Sequence, residues 1–117
     1  MFKQRFAFAV MALVTVVTSV AALTQAGRDD GRTIYGAGTN SCSLWSDARE
    51  RETWFTSGQW ILGFVSAANQ YSKVAPAKTD ARSLASWVDD YCRERPMSDL
   101  ADAARELVER LVNGTYP

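Results

Sequence analysis

The chain is 117 residues long, carries 13 basic and 13 acidic side chains with no histidine, and is 47% apolar. A formal charge near zero argues against nucleic acid or a strongly anionic membrane as partner. The absence of histidine removes the commonest general base and the commonest neutral metal ligand.

The first 26 residues have the layout of a secretory signal. Lys3 and Arg5 form a short basic region, Phe6 to Val20 an apolar run, and Thr24-Gln25-Ala26 a small-x-small end of the kind signal peptidase cuts. Cleavage is expected after Ala26, with Ala21 or Ala22 as alternatives. An uncleaved membrane anchor over Phe6 to Leu23 is the competing reading, since that stretch just reaches the roughly 18 residues a spanning helix needs. Loss of Lys3 and Arg5 leaves 11 basic against 13 acidic residues, a net −2. The remaining 91 residues suffice for one small domain, close to the size at which a covalent staple helps.

Residues 27–41, rich in glycine and polar side chains, read as a flexible lead-in anchored only where Cys42 begins the fold. Gly36-Ala37-Gly38 lacks the preceding strand, third glycine and lysine of a phosphate-cradling loop. A helical domain is expected over 42–114. Its first short helix runs from Leu44 to about Glu52, and a longer one from Trp54 to about Tyr71 with Thr53 as N-cap. Trp60, Phe64, Ala67, Ala68 and Tyr71 form an apolar stripe on the longer helix. Gly58 and Gly63 each cost about 1 kcal/mol of helix propensity, which points to close approach of another helix.

After a loop containing Pro76, Thr79 or Asp80 caps a helix with apolar positions Leu84, Trp87, Val88, Tyr91 and Cys92, spaced i, i+3, i+4, i+7, i+8. Arg95-Pro96 ends it. Ser98 is the expected N-cap of a last helix, with Leu100, Ala103, Ala104, Leu107, Val108 and Leu111 on one face, Glu106 and Arg110 paired on the other, and Gly114 as the stop. No segment alternates apolar and polar residues over a strand's length, so the expectation is an all-α bundle of three to four helices. In an exported protein Cys42 and Cys92, 50 positions apart, are expected to bridge, closing a loop worth about 4 kcal/mol on the chain-entropy model. Two reduced thiols are the alternative.

A cysteine opening a helical segment, Trp60-Ile61-Leu62-Gly63-Phe64, and then Trp87-Val88-Asp89-Asp90-Tyr91-Cys92-Arg93-Glu94-Arg95-Pro96 before an alanine-rich helix resemble small exported bacterial proteins of the HdeA/HdeB acid-stress chaperone family. In layout the chain is also similar to periplasmic immunity proteins of the Rap/Tai type. The first resemblance implies a small helical, disulfide-linked periplasmic protein whose dimer dissociates at low pH to bind clients. The second implies neutralisation of a secreted effector. An envelope-associated structural role is the remaining alternative.

Catalysis is not expected. Ser41, Ser43 and Ser46 have no histidine to activate them, the cysteines serve better as a bridge, and Asp89 and Asp90 point about 100° apart on a helix. No cofactor or metal is expected, and the partner is expected to be a protein: a client, an effector or a second copy. With Trp60 at 0° on the long helix, Phe64, Ala67 and Tyr71 lie within about 40°, whereas Phe55 and Leu62 fall near 220° and 200°. Phe55 and Leu62 are therefore the candidate partner surface, set against the reading that the helix is buried on two sides.

Overall fold

The computed structural model describes residues 31–116; the signal, its cleavage sites and the alternative anchor lie outside the described residues. Residues 36–39 form a 3₁₀ turn, followed by α1 (Cys42–Glu50), α2 (Phe55–Tyr71), α3 (Ala81–Glu94) and α4 (Leu100–Asn113). Among the described residues there is no strand, only an isolated bridge between Ser41 and Asp99. The all-α class is the one expected from the helical spacing, and the Cys42–Cys92 bridge is the one expected of two cysteines in an exported chain. No described helix is long and apolar enough to cross a membrane.

One core joins all four helices. Its buried members include Trp45 of α1, Ile61 and Val65 of α2, Leu84 and Val88 of α3, and Leu100, Leu107 and Leu111 of α4. The apolar stripes expected on α3 and α4 are the faces that pack, with Trp87 and Val108 half-buried at the edges. Each such aliphatic side chain contributes about 1.5–3 kcal/mol by leaving water. Cys42 and Cys92 form a disulfide that ties the first residue of α1 to the last turn of α3.

Both helix starts at this corner are satisfied by the chain around them. The Cys42 N–H donates to the Ser98 carbonyl at 2.7 Å and the Ser43 N–H to the Pro96 carbonyl at 3.1 Å. The Leu44 N–H donates to the Ser41 hydroxyl. Ser41 is thus the N-cap, and α1 starts two residues before the expected Leu44. In return the Leu100 N–H donates to the Asn40 carbonyl at 2.9 Å, so three of the four donors that a helix start leaves orphaned in α1 are accounted for.

The caps refine three further boundaries. Asp99, not Ser98, caps α4: its carboxylate accepts from the Asp102 N–H at 2.8 Å, and Ser98 is occupied by its contact with Cys42. Thr53 does not cap α2, whose first residue follows Trp54 without a side-chain cap. Of the two residues expected at α3, Asp80 is the cap, accepting from the Arg82 and Ser83 N–H groups. Gly114 ends α4 at φ 69°, as its position suggested.

Residues before Cys42 also pack. Gly38 is buried, and a Cβ there would overlap the Trp60 indole; that ring donates from Nε1 to the Tyr35 carbonyl at 2.7 Å. Anchoring therefore begins before Cys42, because glycine lets the backbone lie against an indole. The roles expected of two other glycines differ from what is seen. Gly58 admits the Trp54 indole, not another helix, at 2.6 Å from where its Cβ would be, and Gly63 faces open space.

Candidate partner surface

The expected stripe on α2 is displaced from the face that packs. Ser57, Gly58, Ile61 and Val65 are the buried residues of this helix. Trp60 and Phe64 are half-buried on one shoulder, with ring centroids 5.3 Å apart, and Tyr71 is 89% exposed. Trp60 drew the eye because of its size, but its contact is with the 3₁₀ turn.

Phe55 and Leu62 do share the other shoulder, yet their surroundings differ. Phe55 is 72% exposed at the first turn, whereas Leu62 is half-buried and packs against the core. Leu62 is also part of the wall of a cleft of about 360 Å³ between α2, the following loop and α3. The two residues thus contribute to neighbouring features, not to one patch.

What unites the exposed side of α2 is its lack of charge. All 17 residues of the helix are uncharged, and the uncharged run extends from Thr53 to Ser72. That run was open to inspection in the sequence, where the periodicity of the large side chains masked it. Exposed positions on the helix are Phe55, Thr56, Gln59, Gly63, Ser66, Ala67, Asn69, Gln70 and Tyr71. No family model, curated protein or solved structure matches the chain. Its functional reading therefore rests on these side chains and their surroundings.

The other three helices cover their outer faces with ion pairs. Asp90–Arg93 on α3, and Asp102–Arg105 and Glu106–Arg110 on α4, pair within their own helices, and Asp47 of α1 pairs with Arg51 just past its end. One pair crosses helices: Arg49 of α1 makes a forked contact with Asp89 of α3, with nitrogen–oxygen distances of 3.0–3.2 Å. The Trp45 indole donates to the same carboxylate at 2.8 Å, and the Arg49 guanidinium lies 4.5 Å from the centre of the Trp54 ring. Forked geometry and a shared acceptor fix α1 on α3 more firmly than a surface pair would.

That cluster separates the adjacent carboxylates. Asp89 turns inward to Arg49 and Trp45, and Asp90 outward to Arg93. Ser43, one of the three serines without an activating partner, donates its hydroxyl to the Pro96 carbonyl at 2.9 Å, and Ser41 caps α1. Cys42 and Cys92 are bridged and buried. Ser41, Ser43 and Asp89 are thus engaged in holding helix ends and helix pairs.

Proposed function

We propose that the chain is a small exported binding protein without catalytic activity, which offers the uncharged outer side of α2 to a protein partner. The observation that carries this reading is the absence of any charged residue across the 17 positions of a helix with an exposed outer side, with Phe55 and Tyr71 exposed at its two ends. Interface centres are depleted of charge and enriched in aromatic residues. A helix serving only as a solvated wall would carry charges on its outer side, as α4 does.

Acid-stress chaperone activity of the HdeA/HdeB kind is the refinement we favour. Below about pH 4 carboxylates take up protons. The outer faces of α1, α3 and α4 are tied by carboxylate ion pairs, a class of contact that acid weakens. The outer side of α2 has no carboxylate to titrate and stays as apolar at pH 2.5 as at pH 7. Acid thus loosens the helix contacts around a surface that keeps its affinity for unfolded chain.

The test is suppression of light scattering by a test enzyme that aggregates at pH 2–3, with the mature protein in equimolar amounts. Protection at pH 2–3 and none at pH 7 is the expected result. Lack of protection, together with a tight one-to-one complex with a single secreted effector, would replace the chaperone by a Rap/Tai-type immunity role. Failure of both would leave an envelope-associated structural protein.

A further inference from the structure

The stripe of Trp60, Phe64, Ala67 and Tyr71 on α2 is covered at one end and open at the other. Ala67 and Tyr71 are exposed, whereas the Trp60 indole lies in the crook of residues 33–39. Cβ atoms built on Gly36 and Gly38 would both meet this ring, and the Ile34 side chain closes the crook beside Gly38. Ile34 and Ala37 are half-buried there. A short segment of the chain itself, and none of the other three α-helices, thus lies over the Trp60 end of the stripe.

This segment has few ties to the body of the fold. Among the described residues a single hydrogen bond, from Trp60 Nε1 to the Tyr35 carbonyl at 2.7 Å, joins residues 33–39 to the helices. The remaining bonds of the turn close on itself: Thr39 Oγ1 donates to the Gly36 carbonyl at 3.2 Å, and the Asn40 N–H to the Ala37 carbonyl at 3.0 Å. From Asn40 onward the chain is pinned, by the Leu100 N–H at the Asn40 carbonyl and by the Cys42 N–H at the Ser98 carbonyl. Segments with few bonds to a core open at lower free energy than the core itself. Residues 33–39 can therefore swing away from Asn40 while the four helices keep their packing.

We propose that residues 33–39 are a releasable strap that competes with the protein partner for the Trp60 end of the stripe. Its release joins Trp60 and Phe64, whose ring centroids are 5.3 Å apart, to the exposed Ala67 and Tyr71. This rests on the outer side of α2 being the partner surface, and adds how access to that surface is limited. A partner seated on Ala67 and Tyr71 gains the Trp60 ring only by taking the strap's place. A strap open about a tenth of the time or less lowers the apparent affinity for such a partner at least about tenfold.

Two variants of the full mature chain open the strap by different means. Gly38→Val puts a side chain where the indole lies, and Gly36→Val forces a branched residue to φ 74°, a backbone conformation it resists. With fluorotryptophan incorporated, the Trp60 fluorine resonance is assigned by its loss in Trp60→Phe. In both variants it should gain the solvent-isotope shift of an exposed ring, while the resonances of Trp45, Trp54 and Trp87 stay in place. Half-saturation of the dye anilinonaphthalene sulfonate at pH 7, a probe of exposed apolar surface, should need about tenfold less protein than with the natural chain. An unmoved Trp60 resonance, or movement of all four, would overturn the proposal, the second by showing that residues 33–39 belong to the core. Exposure of Trp60 without a gain in dye binding would overturn it too. Protection of the acid-aggregating enzyme separates the two claims. Stronger protection by the variants supports both, whereas a fluorine and dye response with no protection by any chain removes the partner and leaves the strap as a cover over the stripe.

Discussion

α2 and α4 both lay one side on the common core, but their other sides follow opposite rules. α4 buries Leu100, Leu107 and Leu111 and turns Asp102, Arg105, Glu106 and Arg110 outward in pairs spaced three and four residues apart. α2 buries Ile61 and Val65 and turns outward amides, small residues and exposed Phe55 and Tyr71. Inner sides alike in chemistry make the fold; the outer sides differ in charge, and on our proposal that of α2 is the one that meets a partner.

Substitutions can break this contrast, and the disulfide gives the largest expected effect. Replacing Cys42 and Cys92 by alanine should cost about 4 kcal/mol, read as a lower urea midpoint, because the bridge is buried where α1 meets α3. Next comes the inner side of α4. Leu107→Ala, at a fully buried site, should cost about 2–5 kcal/mol, whereas Phe55→Ser on the outer side of α2 should change unfolding by no more than about 0.5 kcal/mol. Equal losses from the two would deny that α2 has a free side.

Within α2 the two glycines sharpen the distinction through effects of opposite sign. Gly58→Ala should destabilise by about 1–3 kcal/mol because the new Cβ meets the Trp54 ring, whereas Gly63→Ala, in open space, should stabilise by up to about 1 kcal/mol. Urea unfolding of both variants reads the two signs directly.

The smallest effect concerns Asp80, at the start of α3. The backbone N–H of Ser83, its hydroxyl and the Arg82 N–H hold the Asp80 carboxyl below the usual carboxylate range. A lowered folded-state value means that this carboxylate adds stability above about pH 4, where the unfolded chain is also ionised, and loses that contribution as pH falls through the folded value. Asp80→Asn, which keeps a capping oxygen but not the charge, should therefore lower the urea midpoint slightly at pH 7. It should also make the loss of stability between pH 4 and pH 2 shallower than in the natural chain.

The sequence made α3 and α4 legible because their large apolar residues and their charges fall on opposite sides, so periodicity and burial agree. On α2 they part company. Trp60, Phe64 and Tyr71 form the more conspicuous stripe, but Ser57 and Gly58 occupy the buried side, Gly58 against the Trp54 indole and Ser57 against the Asn40 amide. Small residues receiving an indole leave no periodic signal. The Arg49–Asp89–Trp45 cluster was equally hidden, since Asp89 lies 40 positions from Arg49 and 44 from Trp45 and only the fold unites them. Cys42 and Cys92, by contrast, were readable as a bridge from their number and from the expectation of export.

The central claim is that α2, and not the ion-paired helices, carries the binding surface. Light scattering of the acid-aggregating enzyme at pH 2.5 tests it most directly, comparing the natural chain with Phe55→Arg/Tyr71→Arg on α2, whose charge persists in acid, and Glu109→Lys on α4. Exposed Phe55 and Tyr71 are preferable to Leu62, which also packs on the core. We expect the α2 variant to lose protection while retaining its circular dichroism, and the α4 variant to protect as well as the natural chain. Full protection by the α2 variant would contradict the account.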